Sequence, residues 1–212
     1  EIAVHLGTHE SYLVSLAFSH NGQLLASSGN DNMVQVWDVQ NNSLLVRFEG
    51  DNPNFIQKFS CLYWQDDHTV AAIGSHAVYW WDIPSQSMVR RIDKPSEASF
   101  FVDGDFNAEG SQITTVAQDE NLYILSPDTG QWVIKPTHTD SSLNTVTYNP
   151  DDNLLALGTY NQVIYLWNNQ GDEIVNVLPV QSDAIESIHF SPDGQYLTAI
   201  GWQGPISIWG IP

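Results

Sequence analysis

Cationic side chains are the scarcest feature of this 212-residue chain: six Lys and Arg stand against 25 Asp and Glu, a formal net charge of -19. A field of that sign repels phosphate backbones and anionic lipid headgroups, so neither nucleic acid nor a membrane is expected as a partner. It favours a basic protein partner or a cation, and in the plainest reading it only keeps the protein soluble. Cysteine is nearly absent: Cys61 stands alone, so no internal disulfide can form and thiol content selects no redox compartment. A single Cys permits no CxxC pair and the seven His are scattered, so no metal is expected. Neither GxGxxG nor GxxxxGK[ST] occurs, which removes the usual phosphate cradles and any cofactor expectation built on them. No apolar run approaches the roughly 18 residues of a membrane helix. The first residue is Glu1 rather than Met, which leaves open a cleaved signal peptide or a cut from a longer protein.

What is present is a repeat. Apolar residues make up 42% of the chain, enough for a sizeable core. Five times a short apolar strand ends in a Trp or its stand-in and turns into a polar hairpin. The landmarks are Trp37, Trp81, Leu125, Trp167 and Trp209, separated by 44, 44, 42 and 42 residues. A period in the low forties built only of strand-like segments is the signature of a β-propeller. Each unit opens on an alternating strand (Leu13–Phe18, Phe59–Trp64, Phe101–Phe106, Leu143–Tyr148, Ile185–Phe190). Turn residues follow, as in Ser191-Pro192-Asp193-Gly194, where Pro presets φ and Asp and Gly tolerate the remaining turn angles. A second strand, the landmark strand and an outer fourth strand complete the unit.

The fifth unit stops at Pro212 without a fourth strand, and Glu1–Leu6 precedes Gly7-Thr8-His9 as Leu44–Glu49 precedes the next loop. The expectation is an all-β, five-bladed β-propeller of four-stranded antiparallel blades, closed by the N-terminal strand completing the last blade. It would be one monomeric domain over 1–212, with units at about 7–49, 50–93, 94–135, 136–178, and 179–212 plus 1–6.

Unit one carries Thr8-His9, Phe18-Ser19, Leu25-Ala26-Ser27, Asp31 and Val36-Trp37-Asp38. Unit two carries Trp81-Asp82, and unit five Phe190-Ser191-Pro192-Asp193-Gly194 with Ile208-Trp209. Over essentially its whole length the chain resembles the WD-repeat β-propeller family. The resemblance implies that His9, Ser27, Asp31 and Trp37 form a structural hydrogen-bonded tetrad. Other units depart from it, with Ser75, Asp119, Asn161 and Gln203 at the Asp31 position, only His138 at the His9 position, and Leu125 for Trp. Those four blades are expected to rely on apolar packing and backbone ladders. The resemblance also implies that the residue before the Asp31 position faces partners on the loop-bearing top face. That position holds Asn30, Gly74, Gln118, Tyr160 and Trp202, with His76 beside it.

Ser, His and Asp together also compose a hydrolase triad. No strained G-x-S-x-G turn accompanies them, so the set reads as structural and no enzyme is expected. Asp103 and Asp105 share one strand face and read as solvated channel carboxylates, since calcium needs six to eight oxygens and two are in sight. Trp202 either contacts a partner or packs on the next blade's loop. Trp80 and Trp132 read as inter-blade packing, and Cys61, in a slot shared with Ser15, Thr145 and Ser187, as a buried inert thiol. The expected function is a non-catalytic scaffold that binds a protein or peptide, basic in character, through its top face. Alternatives are a glycan-binding, lectin-like propeller and a sensor domain of a larger signalling protein.

Overall fold

The β-branched and aromatic residues that alternate along the chain fold into strands, each paired antiparallel with its neighbour in sequence. The structure, a computed structural model, describes residues 5–50, 58–181 and 184–211. The chain divides into two compact units, Glu1–Lys94 and Pro95–Pro212. The first unit holds two four-stranded sheets. Strands β1 (Leu13–Phe18), β2 (Leu24–Gly29), β3 (Met33–Asp38) and β4 (Ser43–Glu49) form one; β5 (Phe59–Trp64), β6 (Thr69–Gly74), β7 (Ala77–Asp82) and β8 (Ser87–Asp93) form the other.

The second unit holds three sheets. Its first consists of β9 (Phe101–Phe106), β10 (Ile113–Ala117), β11 (Asn121–Ser126) and β12 (Gln131–Pro136). The next consists of β13 (Leu143–Tyr148), β14 (Leu154–Thr159), β15 (Val163–Asn168) and β16 (Glu173–Pro179). The last, among the described residues, has three strands: β17 (Ile185–Phe190), β18 (Tyr196–Gly201) and β19 (Ser207–Gly210). The strand expected over Glu1–Leu6 falls largely on residues 1–4, outside the described residues; His5 and Leu6 are in irregular backbone.

Turn chemistry repeats with the period of the landmarks. The turn between third and fourth strands places Asn42 (φ 52), Gln86 (φ 51), Gly130 (φ 70) and Asp172 (φ 53) in the left-handed region, 44, 44 and 42 residues apart. In three sheets the residue after the landmark anchors that turn. Asp38 accepts from the Asn41 N–H at 2.8 Å, Asp82 from the Ser85 N–H at 2.8 Å, and Asn168 from the Gly171 N–H at 2.9 Å. These bonds hold the carboxyls of Asp38 and Asp82 below the usual range, through Asn41 for the first and the Ser85 hydroxyl for the second. A register shift recurs at Leu13/Ser15, Phe59/Cys61, Leu143/Thr145 and Ile185/Ser187, one residue pair from the start of the inner strand.

Within each unit the sheets pack face to face. In the first unit, Val34, Val36 and Phe48 of one sheet lie on Phe59, Leu62 and Trp81 of the next. Trp81 stacks on Phe48 (centroids 5.4 Å apart, 15°) and on Tyr79 (5.4 Å, 7°), an arrangement that adds to plain area burial. In the second unit, Leu122 and Ile124 face Leu143 and Val146, and Ile164 and Leu166 face Ile185 and Ile188. Gly158 permits the last contact: a Cβ there would stand 2.8 Å from Ile188 Cδ1 and 2.6 Å from Thr145 Cγ2.

Two sequence expectations, for Cys61 and for the Asp103–Asp105 pair, need correction. Cys61 is half-buried, not buried. Trp132 packs on Phe101 of its own sheet (5.3 Å between centroids), and the Arg90 guanidinium lies over the buried Trp80 at 5.2 Å. Asp103 and Asp105 are half-buried and hydrogen-bonded to the neighbouring sheet rather than free in a channel, as detailed below.

Candidate functional site

The N-terminal segment lies on the first sheet, and its His9 reaches β2 and the β2–β3 turn at once. His9 Nδ1 lies 2.8 Å from Asp31 Oδ2 and its Nε2 lies 2.7 Å from Ser27 Oγ, while Trp37 Nε1 donates to Ser27 Oγ at 2.8 Å. With Nδ1–H donating to the Asp31 carboxylate, Nε2 accepts from the Ser27 hydroxyl, so each polar hydrogen has one acceptor and the chain runs Trp37→Ser27→His9→Asp31. Asp31 also accepts from the backbone N–H groups of Glu10 (3.0 Å) and Met33 (3.3 Å), tying the entering segment to the β2–β3 turn. Gly29 leaves room for this: a Cβ there would sit 3.1 Å from both His9 Nδ1 and Asp31 Oδ1. Ser27 is buried and its oxygen already receives the indole N–H. A nucleophile needs access to its substrate, so this geometry works as a clamp on strand register.

Elsewhere the clamp is rebuilt or dropped. In the sheet of β9–β12 the Tyr123 hydroxyl donates to Asp119 at 2.7 Å, and in that of β13–β16 the Thr159 hydroxyl donates to Asn161 at 2.6 Å. Tyr123 occupies the register position of Gln35, two residues before the landmark, as do Tyr79 and Tyr165. That recurrent Tyr is a sequence signal the tetrad pattern does not contain. Trp167 shows the cost of omission: Leu157 stands where Ser27 stands, and the buried Nε1 finds no acceptor among the described residues. Trp37 and Trp167 are 5% and 4% exposed, so the pair isolates the hydrogen bond. Trp37→Phe is expected to cost about 1–2 kcal/mol more than Trp167→Phe in urea unfolding. Equal losses would mean that the Ser27 bond contributes nothing.

The Asp103/Asp105 pair joins two sheets of the second unit. Asp103 Oδ2 accepts from the Thr145 hydroxyl (2.7 Å) and the Val146 N–H (3.3 Å). Asp105 Oδ2 accepts from the Thr147 hydroxyl (2.9 Å) and the Tyr148 N–H (3.0 Å), and Oδ1 from the Phe106 N–H (2.9 Å). The i, i+2 spacing meets an i, i+2 pair of threonines, so two rungs form. Desolvation pushes the Asp105 carboxyl up to about 6, against the pull of the Tyr148 and Thr147 bonds, with the nearby Asp103 charge adding to the rise. Burial likewise pushes the Tyr148 phenol above its ordinary value, as does the Asp105 charge, while the Thr114 bond opposes the rise. Among the described residues no group of three His, Cys, Asp or Glu gathers to hold a metal ion.

The loop residues singled out from the sequence lie one per hairpin. In the first unit, Asn30 donates its N–H to the Tyr12 carbonyl at 2.9 Å and keeps a buried side-chain oxygen without a partner, and His76 is half-buried. In the second unit, Gln118 is exposed, Tyr160 is exposed, and Trp202 is 73% exposed with Nε1 donating to the Glu186 carboxylate. No hydrogen bond found among the described residues joins one of these five to another. Glu186 is missed by sequence reading, because it lies 16 residues before Trp202 in a different strand.

The family described as WD domain, G-beta repeat matches residues 2–38, 130–168 and 172–209. Among curated proteins, the chain is 22% identical over 197 residues to "Protein LST8 homolog" of Drosophila melanogaster, covering 89% of this chain and 60% of that protein. It is 25% identical over 187 residues to "WD repeat-containing protein slp1" of Schizosaccharomyces pombe (85% and 38%). It is 21% identical over 198 residues to "Target of rapamycin complex subunit LST8" of Mus musculus (89% and 57%). The chain thus spans 60% or less of the length of these relatives.

Proposed function

We propose that this chain, which belongs to the WD domain, G-beta repeat family, is a non-catalytic interaction module that binds a protein or peptide through the hairpin loops of its sheets. The carrying observation is Trp202, a large aromatic left 73% exposed on a hairpin, held by a bond to Glu186. Trp and Tyr at such positions are the residue types that dominate binding energy at interfaces, and loops on a rigid scaffold are where binding residues concentrate. Exposed Tyr160 and Gln118 extend the same hairpin series. The mouse relative's name, a complex subunit, supports a protein partner. The net charge of -19 favours a basic one.

Trp202→Ala is expected to weaken capture of basic peptides by at least about tenfold, the scale of a modest hot spot, with the melting temperature unchanged. A peptide library and a glycan array probed with the same protein separate the readings. Silence on peptides with Trp202-dependent glycan signals would replace the protein-binding reading with a lectin-like one. Melting as severe as that of a core variant would remove Trp202 from the binding surface.

A further inference from the structure

The inner strands end alike, so each position near their ends can be compared with its copies. The next-to-last residue of β1, β5, β9, β13 and β17 is Ala17, Tyr63, Asp105, Thr147 and His189 in turn. Asp105 is the one carboxylate in that series, so the repeat itself does not require an acid there. In the second unit β9, β13 and β17 pack side by side, and the Thr147 hydroxyl donates across to Asp105 at 2.9 Å.

Asp105, Thr147 and His189 line one cavity of about 250 Å³ at these strand ends. Phe106, Tyr148 and Phe190, which follow them in sequence, line it too, as do the exposed Pro150 and Pro192 of the turns beyond. Pockets that take a whole small molecule usually measure ~300–1,000 Å³, so this one has room for a single long side chain. Aromatic and proline surface with a half-buried carboxylate suits a guanidinium, whose plane stacks and whose edge meets the acid, better than a strongly hydrated ammonium. Charge points the same way. Residues 95–212 hold 15 Asp and Glu against one Lys or Arg, and that one, Lys135, is engaged by Asp172. Such a field draws cations to this unit. Desolvation raises the Asp105 carboxyl to about 6, and a cation against it would replace the stabilisation that lost hydration removes.

We propose that this cavity is a docking pocket for an arginine side chain of a peptide or protein partner, with Asp105 as the carboxylate that meets the guanidinium. The pocket is separate from the hairpin surface of the proposed function. Ile185 pairs with Gly201, next to Trp202, whereas the pocket lies at the Phe190 end of the same strand, roughly 17 Å away at the usual rise per residue. A basic partner could therefore be held at both ends of the inner strands.

The test titrates the 212-residue chain, above neutral pH, with N-acetyl-arginine N-methylamide and with its neutral citrulline counterpart, and follows backbone amides by NMR. The arginine probe should shift the Asp105, Thr147 and His189 amides saturably. The citrulline probe should bind at least about tenfold more weakly, the scale of losing one partner of a desolvated charge pair. His189→Arg, which sets a cation at an exposed lining position, should abolish the shifts, and Trp202→Ala should leave them unchanged. Four results would overturn the proposal: no saturable shift; equal binding of citrulline; stronger binding of free arginine, which makes an amino acid the occupant; or shifts confined to the Trp202 hairpin. The last would leave the hairpin reading of function standing. The shifts are read on the unaltered chain, so a misfolded variant leaves the test intact.

Discussion

Trp37→Ala is expected to lower the free energy of unfolding by about 3–5 kcal/mol, the range for truncating a buried large aromatic. Three losses coincide at this site. The ring is buried, so a cavity opens beneath it. The Ser27 hydroxyl oxygen loses its donor at 2.8 Å, which breaks the chain at its head and loosens His9 and Asp31. The N-terminal segment also loses the surface it lies on: Gly7 runs so close that a Cβ would come 2.3 Å from Trp37 Cη2. Against a total stability on the order of 5–15 kcal/mol, such a loss should be visible as a large fall in urea midpoint. A loss under about 1 kcal/mol would mean that the clamp is ornamental.

The second large effect is a pH dependence that runs opposite to the common acid-labile pattern. The Asp105 carboxyl is raised in the folded protein from 3.8 to about 6, so the folded state binds this proton more tightly than the unfolded chain. Its contribution is most favourable below 3.8 and is lost as pH rises through 6. Stability should therefore increase on acidification from pH 7 to pH 5 by about 1 kcal/mol from this group, out of a full span on the order of 3 kcal/mol that is complete only below 3.8. Relief of the -19 net charge acts in the same direction. Asp38, Asp82 and Asp193 have lowered values in the folded state. Their contributions are present above 3.8 and vanish as pH falls further, so stability turns down again at lower pH. Urea unfolding of Asp105→Asn, which keeps the shape without the titration, should show a much flatter limb between pH 5 and 7. An unchanged slope in that variant would assign the effect to net charge alone.

The period and the strand boundaries were legible in the sequence because they rest on local chemistry. Alternating apolar residues, Pro and Gly turns, and an Asp after Trp all act within a few residues of themselves. Asp38 and Asp82 illustrate this, since their partners lie three residues on. What the sequence hides is chemistry across the repeat. Thr145 and Thr147 lie 42 residues from the carboxylates they meet, and nothing in the Asp103-Gly104-Asp105 tripeptide distinguishes a solvated pair from a bonded one. The loop aromatics fall between these cases. Position within the hairpin singled out Trp202, but its exposure and its Glu186 partner depend on a neighbouring strand.

Every sheet is a meander in which space order follows chain order, with hairpin links of a few residues. Such sheets form from contiguous segments, so the entropy of closing a long loop is not needed for any one of them. Collapse can begin in whichever sheet nucleates first and spread to its neighbours, as in other one-dimensional arrays. The rate-limiting event then moves from making strands to docking finished sheets, where Trp64 reaches across to the Ala17 carbonyl and the two aspartates meet the two threonines.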